Sequence, residues 1–81
     1  AQIGLAPFAN SRTMHEDALH GGHLVVTAAE CREESAAAAM ARALAALGEV
    51  RAILLDCDID VIDRSQFPAA PGARPGGLSA A

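Results

Sequence analysis

Arg51-Ala52-Ile53-Leu54-Leu55-Asp56-Cys57-Asp58-Ile59-Asp60-Val61-Ile62-Asp63 is the stretch that decides how this chain is read. An unbroken apolar run delivers four aspartates, with no lysine or arginine between them. The apolar part has the pattern of a central parallel strand covered on both faces, which places Val50 to Cys57 in a strand. Alternate strand residues point the same way, so Asp56, Asp58 and Asp60 are expected on one face, successive members roughly 6.5–7 Å apart. Carboxylates crowded in this way repel one another, and a divalent cation removes that penalty. Cation binding is therefore the leading explanation of the cluster, against a plain solvated acidic turn. Cys57 falls on the opposite face and is expected to be buried and inert.

Working outward, the preceding residues predict a layered α/β arrangement. Ala1 to Leu5 reads as a short strand closed by Pro7. Asn10 or Ser11 can cap a helix that runs to about His20 and stops at Gly21-Gly22. His23 to Thr27 is a β-branched run and a second strand, and Ala28 to Arg32 a connector. Glu33 to Leu47 is an alanine-rich helix with Met40, Leu44 and Leu47 on one core-facing stripe and Gly48 as its stop. Strand, helix, strand, helix, strand predicts an α/β fold of the βαβαβ type within a parallel sheet. The segment from Arg64 onward holds Pro68, Pro71, Pro75 and Gly72, Gly76, Gly77, which break both helical and strand periods. The acidic cluster then lies at the carboxyl end of the third strand, where open α/β sheets bind ligands.

Composition narrows the functional classes. The chain has 81 residues, 52% hydrophobic but only 2% aromatic, with alanine dominant. Alanine favours helix yet supplies little apolar area, so the core is poor in large anchors. A domain of this size buries only about 60–65% of the surface its unfolded chain exposes. Both features suit part of a larger layered domain, and Ala1, set inside a strand with no initiator Met, points to a trimmed fragment. A net charge of −4, with six arginines placed singly, excludes the basic stripe of a nucleic-acid partner. No run approaches the ~20 apolar residues of a membrane span, and no signal peptide opens the chain. Cys31 and Cys57 have no disulfide-framework spacing, which points to a reduced, cytoplasmic setting.

The stretch Asp58-Ile59-Asp60-Val61-Ile62-Asp63, followed by a loop with Pro68 and then Gly76-Gly77-Leu78, resembles the carboxyl-terminal signature of the ureohydrolases, the family of arginases, agmatinases and formiminoglutamases. The spacing from Asp58 to Leu78 matches that signature without a gap. Gln2-Ile3-Gly4-Leu5 and Phe8-Ala9-Asn10-Ser11 are similar to the strand and loop before a helix in the same family, most like its formiminoglutamase branch. Two departures stand out: Arg64 replaces the usual proline, and Asp56 adds a carboxylate of undefined role. The resemblance implies a three-layer arginase-like sheet and two Mn²⁺ ions, with Asp58 bridging both and Asp60 binding one. It implies hydrolysis of formimino or guanidino C–N bonds, a small-molecule substrate and a homo-oligomer. It also implies that Asn10 and Arg12 face the substrate. An arginine there suits a carboxylate better than a cation, which favours the formiminoglutamase type over agmatinase or arginase. The family's other ligands, two histidines and an Asp-x-His-x-Asp motif, have no counterpart here, so the segment alone is expected to be inactive.

Other residues carry blander expectations. Asp63 caps the loop that follows it through its side chain. His15, His20 and His23 do not share a face with the aspartates. Gly76-Gly77 permits a tight turn and is no phosphate cradle, since no helix signal follows it. The competing reading from another class is a non-catalytic α/β module whose acidic loop holds a cation.

Overall fold

Two short β-branched or apolar runs form the sheet. The computed structural model describes all of residues 1–81. Strand β1 (Gln2–Leu5) lies parallel to β2 (Val25–Thr27), pairing Gln2 with Val25, Ile3 with Val26 and Leu5 with Thr27. The register slips between Ile3 and Leu5, at Gly4, whose φ is +89°. A Cβ at Gly4 would sit 2.5 Å from a methyl of Val61 and 3.0 Å from Leu78. Glycine here marks both a bulge and a close approach, because it lets the carboxyl-terminal loop lie directly on the sheet.

Helix α1 (Arg12–His20) joins the strands. Ser11 caps it by accepting the Met14 N–H at 3.2 Å, and the chain turns off at Gly21, whose N–H donates to the Asp17 carbonyl. After β2, the expected connector is instead a helix, α2 (Ala28–Glu33). Thr27 and Glu30 form a capping box: Thr27 Oγ1 accepts the Glu30 N–H at 3.2 Å, while the Glu30 carboxylate accepts the Thr27 N–H at 2.8 Å. The pattern Thr-x-x-Glu is visible in the chain and signals a helix start. The long helix accordingly begins later than its periodicity suggests, as α3 (Ala36–Leu47), with Ser35 as its cap. Arg42 on α3 reaches back to Glu34 at 2.7 Å and Glu30 at 3.2 Å, tying the two helices together. Hydrogen bonds from Thr27 and then Arg42 hold the Glu30 carboxyl below its usual range, and Glu30 and Glu34 raise Arg42.

The α/β class stands, with two parallel strands and helices, but the third strand does not form. Val50 to Cys57 make no backbone–backbone hydrogen bond. A parallel strand gains its stability from a ladder and cover on both faces, and here Leu54 is 96% and Leu55 70% exposed. Two related expectations change with it. Met40, Leu44 and Leu47 are not core residues; they are about half exposed and line an apolar groove with Ile3 and Ile53. Cys57 is exposed rather than buried. The residues that are buried are small: Ala28, Ala39, Ala43, Ala70 and Ala73 with Val26, which alone among large side chains is fully enclosed. Poverty in large anchors is thus expressed directly as a thin core. No helix is long and apolar enough to cross a membrane.

An apolar run with unpaired backbone is a template for intermolecular pairing. The 81-residue chain in isolation is expected to self-associate through residues 50–55. Light scattering at increasing concentration should show this, and a Leu54→Lys, Leu55→Lys double variant should abolish most of the scattering without altering the helical circular dichroism.

Candidate functional site

The proline- and glycine-rich segment after Asp63 forms neither helix nor strand, yet it is closed by a specific set of bonds. Ile62 and Leu78 form an isolated parallel bridge: the Asp63 N–H donates to the Leu78 carbonyl and the Leu78 N–H to the Val61 carbonyl, each at 2.8 Å. The Asp63 carboxylate spans the loop's two ends. Its Oδ1 accepts from the Ser65 N–H at 2.8 Å and the Ser65 hydroxyl at 2.6 Å, and its Oδ2 accepts the Gly76 N–H at 2.7 Å. These bonds favour the ionised form, so Ser65 first and then Gly76 hold the Asp63 carboxyl below the usual aspartate range. The structural, loop-capping role expected for Asp63 is what the geometry shows.

Each glycine of the Gly-Gly-Leu run has its own reason. A Cβ on Gly77 would lie 2.6 Å from the Asp63 nitrogen and 2.7 Å from the Val61 oxygen, both backbone atoms that cannot yield. Gly76 has φ +83°, and a Cβ there would press on the Pro7 ring at 2.9 Å. Arg32 of α2 donates from Nη2 to the carbonyls of Gly76 and Gly77, both at 2.8 Å. No local pattern signals that long-range clamp, since Arg32 stands in the sequence as one isolated charge among six arginines. Arg64, which replaces a proline in the signature, uses the N–H a proline would lack: it donates to the Arg74 carbonyl at 3.3 Å. The guanidinium of Arg64 adds a bond to the Ala73 carbonyl at 3.4 Å. The departure is therefore accommodated by the loop, and the turn forms without proline.

The aspartates before the loop are not strand residues. Ile59–Val61 is a turn of 3₁₀ helix, capped by Asp58, whose Oδ1 accepts the Asp60 N–H at 3.3 Å. The alternating-face argument for Asp56, Asp58 and Asp60 fails at this point, because a capping turn replaces the period of two with a period near three. Asp56 and Asp58 are exposed, while Asp60 is half-buried, its Oδ2 filling the space a Cβ on Gly72 would need. Gly72, expected only to break regular structure, is what admits Asp60 to the loop. No group of three histidine, cysteine, aspartate or glutamate side chains that could hold a metal ion comes together in the chain. The oxygen donors suit Mn²⁺ in kind. In number they fall short, so residues 1–81 alone do not fit a two-ion centre.

Asn10 and Arg12 do share one place. Both line an open cleft of ≈ 450 Å³ at the carboxyl ends of β1 and β2, walled by the turn after β1, His15 and Thr27. No acidic side chain lines it, and neither Asp58 nor Asp60 does. Arg12 is held by a bond from Nε to Glu16 at 2.9 Å, one helical turn on, and is otherwise almost wholly exposed. The structure thus brings the two expected substrate residues together and leaves the two expected metal ligands in a separate turn.

Among known protein families, the model described as the Arginase family matches residues 1–81. No curated protein and no solved structure matches the chain.

Replacing Gly77 with alanine should destabilise the fold by more than about 2 kcal/mol, read as a lowered denaturant midpoint, because the new methyl meets backbone atoms of both Val61 and Asp63. The pH response follows from Asp63. Its folded-state pKa is depressed, so the unfolded chain binds the proton more readily; the stabilisation is present above the unfolded pKa and is lost as pH falls through the folded one. Denaturation across the acidic range should show this decline, and an Asp63→Asn variant should be less stable at neutral pH with a shallower slope.

Proposed function

The chain belongs to the arginase family, and on that premise we propose that it is the metal-loop portion of a ureohydrolase-type hydrolase. The enzyme is manganese-dependent and cleaves a non-peptide C–N bond of a linear formimino or guanidino substrate, the formimino type being favoured. Asp58 and Asp60 contribute two carboxylates to a donor set whose other members lie outside residues 1–81. When bound, Mn²⁺ supplies a water ionised near neutral pH. What this chain's own residues do is positional. The bonds of Asp63, Gly76, Gly77 and Arg32 close the loop, Gly72 seats Asp60, and Asp58 orders the short turn between them.

The observation that carries the reading is the physical accounting for the signature: the Asp63 carboxylate closes the loop on the Gly76 N–H, and Gly76 and Gly77 stand where a Cβ would collide with its neighbours. A cleft free of acidic side chains, with Arg12 at its rim, supports a substrate bearing a carboxylate over a cationic guanidine. The same reading carries a cytoplasmic homo-oligomer. A non-catalytic module that binds a cation through its exposed acidic turn is the second reading, favoured by the separation of Asp58 and Asp60 from the cleft.

Release of ammonia, formamide or urea by the full-length protein with Mn²⁺ separates the two. An Asp58→Ala, Asp60→Ala variant is expected to lose more than about a hundredfold in that activity. The 81-residue chain alone is expected to release none. Undiminished hydrolysis in the double variant would remove the acidic turn from the reaction, and tighter calorimetric binding of Ca²⁺ than Mn²⁺ would favour the module.

A further inference from the structure

Ala6-Pro7-Phe8-Ala9 is a tight turn closed by the Ala9 N–H on the Ala6 carbonyl at 3.3 Å. Proline at the second position and a positive φ at the third describe a turn whose third place is normally filled by glycine or asparagine. Phe8 fills it with φ +58°, the one residue other than glycine on the left-handed side of the backbone map. A bulky side chain there is strained, and strain of this kind persists where the surroundings impose it and a function uses it. The surroundings are visible. Pro7 lies against Gly76, so the loop held by Asp63 and Arg32 fixes the turn. Nothing within the chain repays the strain through packing, since Phe8 is 99% exposed. It is nonetheless one wall of the cleft that holds Asn10, Arg12 and His15.

Resting on the reading above that a carboxylate-bearing molecule enters this cleft, we infer that Phe8 is a specificity-determining residue whose ring covers the aliphatic stem of a linear ligand anchored by its carboxylate at Arg12. An aromatic ring over methylene groups removes both from water, whereas a ligand with no stem gains nothing from it. Strain at Phe8 then trades stability for a preset apolar wall, and the two effects of its replacement have opposite signs.

Titration calorimetry on the full-length protein with glutarate and acetate as probes, paired with thermal unfolding, tests this. Phe8→Gly is expected to raise the unfolding midpoint by relieving the positive φ. It should also weaken glutarate binding roughly tenfold, the loss for returning about two methylene groups to water, and leave acetate binding unchanged. Phe8→Tyr should restore glutarate binding, and Arg12→Ala should weaken both probes. A Phe8→Gly protein with unchanged glutarate affinity, an equal loss for acetate, a lowered midpoint, or wild-type protein that does not bind glutarate would each overturn the inference. Hydrolysis that survives the Asp58→Ala, Asp60→Ala change while the glutarate pattern holds would instead remove the metal-hydrolase reading and leave the role of Phe8 standing.

Discussion

The structure depends on one carboxylate. Asp63 joins the beginning of the carboxyl-terminal loop to its end by accepting from Ser65 on one oxygen and from the Gly76 N–H on the other. The ten residues between Ser65 and Gly76 form no helix or strand, so their order comes from such local closures. Once Gly76 is held, Gly77 must pass between Val61 and Asp63 with no room for a side chain, Leu78 completes its bridge to Ile62, and Arg32 secures two carbonyls from the outside. A charge-assisted bond to backbone N–H groups is among the stronger bonds open to such a segment, which explains why an aspartate rather than an asparagine suits the position.

The clamp also organises what lies beside it. Gly4 gives up its side chain so that Val61 and Leu78 can rest on β1, and Gly76 does the same for Pro7. Through Pro7 the loop shapes the turn that forms one wall of the cleft. Sheet, loop and cleft are therefore connected by contacts among small residues, in a chain whose buried positions are mostly alanine. Large apolar side chains, by contrast, are turned outward along α3 and residues 50–55, where they line a groove.

Much of the local structure could be read in advance from particular residues. Ser11, Gly21 and Gly48 end or begin helices where capping chemistry requires, and Val25–Thr27 pairs as a β-branched run should. Thr27 and Glu30 carry the capping box that starts α2, and with residues up to Glu33 taken into α2 the long helix α3 begins only after Ser35. The third strand illustrates the opposite case. Ile53-Leu54-Leu55 has every local mark of a buried strand, but a ladder is a property of two segments, and these residues have no backbone partner.

By itself, the amino-acid order determined the α/β class, the helix caps, the loop-capping role of Asp63 and the family signature from Asp58 to Leu78. Each of these rests on interactions within a few residues or on fixed spacing. Tertiary structure alone decided that Arg32 grips Gly76 and Gly77, that Gly72 makes space for Asp60, and that Phe8 is forced into a left-handed conformation beside Arg12. Those outcomes join residues up to forty-five positions apart or follow from the space a neighbour leaves. Steric exclusion and backbone hydrogen bonding between distant segments have no trace in local pattern, because they exist only once the chain has folded back on itself.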